Sequence, residues 1–300
     1  MELRQLKSFI RVAETLNFSE AARSLFITQS TLSQQIKQLE TDLDVQLLSR
    51  SSHNVSLTEA GQELIPFARK TIEAADMCRE RIDDLKNVIC GNLQIGVTYS
   101  FSAILTETLV TFMKKFPKVR LEVFYRPMAE LMDMLRSKEV DFVLAFRPNE
   151  PMPDVNSRVL FQSHLSAIVG DSHPLAALGK VSLGKLTEYA FAMPAKGLQA
   201  RNAFDKIADR YDLSLNICIE LNEVDILLKL IRHNRLVTIL AETSAHGEHG
   251  VKVIPIDTPE NEMVGCVHIL KDTYHKRSMH EFIRLLSESV AVRERVEAWL

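Results

Sequence analysis

Asn17-Phe18-Ser19-Glu20-Ala21-Ala22-Arg23, then Thr28-Gln29-Ser30-Thr31-Leu32-Ser33-Gln34-Gln35-Ile36-Lys37-Gln38-Leu39-Glu40, then Ser56-Leu57-Thr58-Glu59-Ala60-Gly61, is the stretch that decides the fold of the N-terminal region. It predicts two short helices joined at Phe26-Ile27-Thr28. Ser19 and Thr28 are placed to cap them by accepting from free backbone amides. Ala21, Ala22 and Leu25 form the inner face of the first helix, and Leu32, Ile36 and Leu39 that of the second. Gln29, Ser30, Ser33, Gln34 and Lys37 are left on the outer side. Gln can bond an adenine edge in bidentate fashion, and Ser can bond several base edges. Arg23 and Lys37 suit phosphate, a salt-dependent contact that carries no sequence information.

On the N-terminal side, Leu3, Leu6, Phe9, Ile10, Ala13 and Leu16 recur at helical spacing. On the C-terminal side, Val45, Leu47, Leu48, Val55 and Leu57 flank the polar run Ser49-Arg50-Ser51-Ser52-His53-Asn54, which predicts a short β-hairpin, or wing, with Arg50 as a phosphate clamp. Acidic residues balance basic ones over the first sixty positions. Any DNA contact therefore rests on a few placed cations and on pairing of two copies, not on bulk charge.

From Thr58 to about Val88 the pattern is one long helix. Ile65, Ala68, Ile72, Ala75, Cys78, Ile82, Leu85 and Ile89 step by three or four, an approximate coiled-coil seam. Pro66 falls early in it. A reader helix that covers one half-site needs a second copy for the other, which makes this helix the expected dimer element.

Gly91 ends that helix, and strands then alternate with helices. Strands are expected at 93–97, 119–124, 140–145, 164–170, 189–193, 215–220, 236–240, 252–256 and 264–270. Helices are expected near 103–116, 128–137, 200–211 and 223–233 and from Lys276 onward, the last carrying Met279, Phe282, Ile283, Leu286 and Val290. This order predicts a mostly parallel α/β arrangement. No phosphate loop or dinucleotide fingerprint is present.

The N-terminal run, with Leu43, Leu47, Arg50 and Leu57-Thr58-Glu59-Ala60-Gly61, resembles the LysR-type transcriptional regulators of bacteria. The likeness continues through Gly91-Asn92-Leu93-Gln94-Ile95-Gly96, Phe116-Pro117, Val119, Leu135, Asp141 and His173-Pro174-Leu175. It departs at Gln34 and His53, where the family often carries basic residues. It departs again at Arg232-His233-Asn234-Arg235-Leu236, where a Gly-rich turn is usual. The stretch at Leu230-Ile231-Arg232 is similar to regulators resembling the cyanate-operon activator.

The resemblance implies an N-terminal all-α winged helix-turn-helix over 1–58, a dimerising linker helix over 59–90, and a C-terminal α/β effector domain over 91–300. That domain would be two-lobed and similar to periplasmic binding proteins, with lobe I at 91–162 and 266–300 and lobe II at 163–265. It also implies operator DNA, RNA polymerase and further copies of the chain, as homodimer or homotetramer, as partners. Arg23, Thr28, Gln29, Ser30, Ser33, Gln34, Lys37, Arg50 and His53 are the DNA-binding candidates.

The implied effector is a small molecule held between the lobes. Ser100 and Ser102 match the family's effector-binding Ser/Thr position, with Phe101 between them. The strand-end loops add Arg126, Phe146, Arg147, Lys196, Arg201 and Asn222, whose cations favour an anionic metabolite.

The remaining composition sets bounds. Length, 300 residues, allows two to three domains, and 46% apolar with 25% charged residues suits folded domains. Absence of a signal pattern and of any long apolar run predicts a cytoplasmic protein without membrane contact. The four cysteines Cys78, Cys90, Cys218 and Cys266 form no C-x-x-C pair, so no zinc knuckle or disulfide framework is expected. Two other readings of the C-terminal half are a transport-type solute-binding protein and a metal-dependent enzyme built on His246-Gly247-Glu248-His249. Gly247 interrupts that set and no third ligand is evident, so neither enzymatic activity nor a cofactor is expected.

Overall fold

The computed structural model describes residues 1–50, 55–85, 89–148, 150–289 and 292. The chain divides into two compact units, Met1–Val88 and Ile89–Leu300.

The first unit holds α1 (Leu3–Thr15), α2 (Phe18–Ser24), α3 (Gln29–Leu43), the hairpin β1 (Leu48–Arg50) and β2 (Val55–Leu57), and the long α4 (Glu59–Leu85). Its core joins Leu6, Phe9 and Val12 of α1 to Ala21 and Ala22 of α2 and to Leu32, Ile36 and Leu39 of α3. Each buried aliphatic side chain contributes about 1.5–3 kcal/mol. Two expectations at this level are corrected. Leu3 and Leu16 are exposed and Val12 is the buried position. Asn17, not Ser19, caps α2: its Oδ1 accepts from Ser19 N at 2.9 Å and from Glu20 N at 3.1 Å.

Glu40 fastens the wing to α3. Its Oε1 accepts from Leu47 N at 2.9 Å and from Leu48 N at 3.1 Å. β1 and β2 then pair antiparallel, with Ser49 opposite Ser56. Thr58 precedes α4 and accepts from Gly61 N at 3.0 Å.

The expected seam on α4 is divided. Ile65, Ala68 and Ile72 pack into the core of their own unit. Cys78 and Ile82 are exposed. Ile89 is not on the helix at all: it packs against the core of the second unit.

The second unit contains β3 (Gly91–Val97), α5 (Ser102–Lys115), β4 (Val119–Tyr125), α6 (Met128–Arg136), β5 (Phe142–Phe146) and β6 (Val155–Gly170). It continues with α7 (Leu183–Leu186), β7 (Ala190–Pro194), α8 (Gln199–Arg210), β8 (Asn216–Leu221), α9 (Val224–His233), β9 (Thr238–Ala241), β10 (Val251–Pro255), β11 (Glu262–Leu270) and α10 (Arg277–Glu288). In the first lobe β3 pairs parallel with β4 and β5, while β11 closes on β5 antiparallel. In the second lobe β7 and β8 pair parallel, and β6 pairs antiparallel with β9 and β10. Parallel order thus holds within each lobe's βα units, and the strands that cross between lobes run antiparallel. This corrects the mostly parallel expectation.

β6 is 16 residues long, more than twice the expected 164–170. Its first part pairs with β11 and its last part with β9 and β10, so one strand serves both lobes. The β6–β11 register shifts at Gly265/Cys266. There a Cβ on Gly265 would sit 2.6 Å from the Phe161 ring, so only glycine fits.

Candidate functional site: a reading face and an interlobe cleft

On α3, Thr28 caps the helix by accepting from Thr31 N at 3.2 Å, as the sequence predicts. The cap fixes the first turn, and the buried Leu32, Ile36 and Leu39 fix the rotation of the helix. Together they turn Gln29, Ser30, Gln34 and Lys37 to solvent, with Ser33 half-buried. Ser33, Gln34 and Lys37 line a groove of about 550 Å³ whose other wall is Gln46, Leu48 and Ser49 at the wing. Ser19 Oγ donates to Gln29 Oε1 at 3.1 Å, so the end of α2 steers the amide at the start of α3. Ser8 Oγ donates to Gln35 Oε1 at 2.5 Å and ties α3 to α1. Arg23 is exposed in the last turn of α2. Arg50 closes β1, but its side chain, like all of His53, lies outside the described residues.

At the tip between α2 and α3, Phe26 has φ +55° and is 96% exposed. Both are costly for an aromatic residue.

In the second unit, a cleft of about 340 Å³ lies between the start of α5 and the 3-10 turn Glu242–Ala245. Tyr99, Ser102, Thr106, Thr243, Ser244 and Glu248 line it. Ser102 Oγ donates to Tyr99 O at 2.7 Å. Ser244 Oγ of the second lobe donates to Ser100 Oγ of the first at 3.0 Å. The Thr243 hydroxyl is buried and without a hydrogen-bond partner. Burial, then the acidic Asp225 and Glu248, push the Tyr99 phenol up to about 12, so it is a donor at any working pH.

A second bridge joins the lobes at the far end of β5, through Gln199 of the helix start that the sequence places beside Lys196 and Arg201. Gln199, first residue of α8, accepts from Phe146 N at 3.0 Å through Oε1. It donates to Phe146 O at 2.8 Å through Nε2, which also touches the Met128 sulfur.

The N-terminal residues 3–62 match the family model described as bacterial regulatory helix-turn-helix protein, lysR family. Residues 86–291 match the LysR substrate binding domain. The chain belongs to the LysR family.

LysR-type relatives include the HTH-type transcriptional regulator BudR of Raoultella terrigena, 34% identical over 63% of this chain and 66% of its own length. The regulator ShiR of Corynebacterium glutamicum is 35% identical over 64% and 65%. Those matches span just under two thirds of each relative. The regulator YnfL of Escherichia coli is 29% identical over 93% of this chain and 94% of its own. Among solved structures, full-length CbnR complexed with its target DNA has a TM-score of 0.72 at 20% identity, covering 98% of this chain and all of that one. The probable transcriptional regulator PA0477 of Pseudomonas aeruginosa gives 0.73 at 17% identity, covering 95% and 96%. At these identities the likeness is one of fold.

Within this LysR fold the expected effector residues separate into three groups. Ser100 and Ser102 stand at the cleft. Phe101 and Phe146 are corrected to core: both rings are buried, packed 5.4 Å apart, and both contact Phe161. Arg201 is also corrected. Its side chain is only 4% exposed, with Nε 2.7 Å from Asp205 and Nη1 2.7 Å from Glu220 and 2.9 Å from Pro194 O. Its Nε and Nη1 tie α8 to β7 and β8, which makes the side chain a structural tie of the second lobe. Arg126, Arg147, Lys196 and Asn222 remain exposed around the strand ends. Arg126 donates through Nη1 to Tyr125 O at 2.8 Å and lies 3.8 Å from Glu130.

Glu248, one of the metal-ligand candidates, is ion-paired to Arg232. Among the described residues no group of three His, Cys, Asp or Glu is placed to hold a metal ion, and no helix is long and apolar enough to cross a membrane.

Proposed function

We propose that this protein is a cytoplasmic DNA-binding transcriptional regulator whose action at its operator is controlled by a small molecule bound between the two lobes of its second unit. One observation carries the DNA half. A capped helix on a fully buried aliphatic stripe presents Gln29, Ser30, Gln34 and Lys37 outward beside a wing. Gln29, Ser30, Ser33 and Gln34 read base edges; Arg23, Thr28, Lys37 and Arg50 hold phosphate. Two copies pair through the exposed part of α4 around Cys78 and Ile82, and pairs assemble into a tetramer. RNA polymerase is the partner on which the bound regulator acts.

The effector half rests on the lobes themselves, which meet through a few side-chain bonds over a polar cleft. An anionic effector is supported by Arg126, Arg147 and Lys196, now without Arg201.

Selection of bound genomic fragments by the full-length protein supplies the operator. Gln29→Ala is expected to weaken operator binding by about 1–3 kcal/mol while leaving the salt dependence intact. Unchanged sequence selectivity in that variant removes the reader assignment.

A further inference from the structure

A second cavity lies in the first lobe, away from the interlobe cleft. Its volume is about 510 Å³, against about 340 Å³ for the cleft, and the two share no lining residue. It is enclosed by the start of β6, the end of β11 and α10. Asn156 of β6 is paired with Ile269 of β11, so the cavity stands at the end of the β6–β11 ladder remote from Ser163 and Met263, where the strands pass into the second lobe.

Much of the wall is apolar. Ile269 comes from β11 and the buried Ile283 from α10. The rings of His275 and His280 extend it, with centroids 6.0 Å apart and planes at 74°. His275 donates through Nε2 to Leu270 O at 3.0 Å, which fixes the plane of its ring.

Two arginines reach this cavity, and they are finished differently. Arg284 donates to Glu281 and, through Nη1, to both oxygens of Glu288, so its charge is matched within α10. Arg158 makes no hydrogen bond or ion pair among the described residues, although its strand is held in register with Val267 opposite. A guanidinium offers a planar fork of donors that fits a carboxylate. Asn156, two residues along the strand and so on the same face, adds a carboxamide beside it. The lining carries two arginines against one glutamate, an excess of one positive charge with the imidazoles neutral. That balance suits a single carboxylate, while Glu288 disfavours a polyanion. Apolar walls with a few convergent polar groups, in a volume of roughly 300–1,000 Å³, are the form of small-molecule sites.

We propose that this cavity is a second small-molecule site, separate from the interlobe cleft, and that it takes an amphipathic monocarboxylate. The carboxylate pairs with the Arg158 guanidinium and accepts from the Asn156 amide. The apolar body lies against Ile269, Ile283 and the two imidazole rings. The assignment stands whether or not the cleft holds an effector.

The test uses the full-length protein, labelled at the isoleucine δ1 methyl groups, with 4-phenylbutyrate as the probe. Ile269→Val and Ile283→Val identify the two methyl signals at the cavity. Millimolar 4-phenylbutyrate is expected to shift both saturably, and its neutral amide, 4-phenylbutyramide, to bind about tenfold more weakly. Arg158→Gln removes an exposed, unpartnered side chain and is expected to leave the spectrum and Tm of the free protein unchanged. In that variant the acid is expected to bind no tighter than the amide. Absence of a saturable shift at Ile269 and Ile283 overturns the site. Equal affinity for acid and amide in the unaltered protein overturns the carboxylate assignment. An undiminished preference for the acid in Arg158→Gln overturns Arg158 as its anchor.

Discussion

The reading face on α3 and the cleft between the lobes are both made of small polar side chains, and they are finished in opposite ways. On α3 the groups that fix the helix, Thr28 at the cap and Ser19 beside Gln29, are bonded locally, and the groups beyond them point to solvent. In the second unit the groups at the lobe boundary are bonded to each other: Ser244 to Ser100 and Gln199 to Phe146. Under the proposed function the first site is pre-organised and would need no rearrangement to meet a rigid duplex. Under the same proposal the second would have to give up contacts to accept a ligand, and that cost would let occupancy change the arrangement of the lobes. The face proposed for recognition is left open, and the cleft proposed for switching is closed on itself.

The largest way to sharpen this contrast is to break a contact that belongs to neither site. Arg201 looks like a ligand cation in sequence and is a structural tie in the fold. Arg201→Ala is expected to destabilise the second unit by about 2–3 kcal/mol, the partial exposure of Asp205 and Glu220 keeping the loss below that of a fully buried pair. Urea unfolding checks it. A stable variant with altered ligand response returns Arg201 to the cleft and weakens the contrast.

Acid provides the next test. His268 is fully buried, with Nδ1 2.8 Å from Ser157 Oγ and Nε2 3.2 Å from Ala145 O, and burial holds its pKa below the ordinary 6.5. The folded state therefore keeps it neutral, while the unfolded chain protonates it as pH falls through about 6.5. Stability is constant above that pH from this group and falls below it until the folded pKa is reached. Melting of the second unit is expected to drop between pH 7 and pH 5, and a His268→Gln variant is expected to flatten that slope. An equal slope in the variant assigns the acid sensitivity elsewhere.

The smallest effect concerns the first unit. Phe26→Asn removes an exposed aromatic ring from a left-handed backbone position that Asn tolerates. It is expected to raise the stability of the helix-turn-helix by about 1 kcal/mol, seen as a higher Tm. A fall in Tm shows that the ring has a packing role in the intact assembly.

Much of this was legible in the chain, for reasons that also mark the limits. The face of α3 follows from a 3.6-residue period and a capping Thr, both local. The cap of α2 was legible too, since Asn17 stands directly before Phe18-Ser19-Glu20, but Ser19 is an equally good capper by type. The early half of β6 was not. Asn156, Arg158 and Val159 are exposed, so the strand is held by pairing with β11 and carries little alternation of its own. The cleft was the least legible part. Asp205 is four residues from Arg201 and announces an ion pair, but Glu220 and the Phe146 partner of Gln199 are brought in only by the tertiary fold. A polar residue at a helix start reads the same in sequence whether it faces a ligand or the end of a neighbouring strand.

The 16-residue length of β6 has a mechanical meaning. A strand that enters both lobes without a break, paired throughout with antiparallel neighbours, is stiff along its length and compliant in twist. Any relative rotation of the lobes would have to twist the β6–β11 ribbon, which carries the register shift where the Phe161 ring lies against the bare Gly265 backbone. At that shift the side chain missing at Gly265 is replaced by the buried Phe161 ring, so a residue of one strand completes the packing of its neighbour.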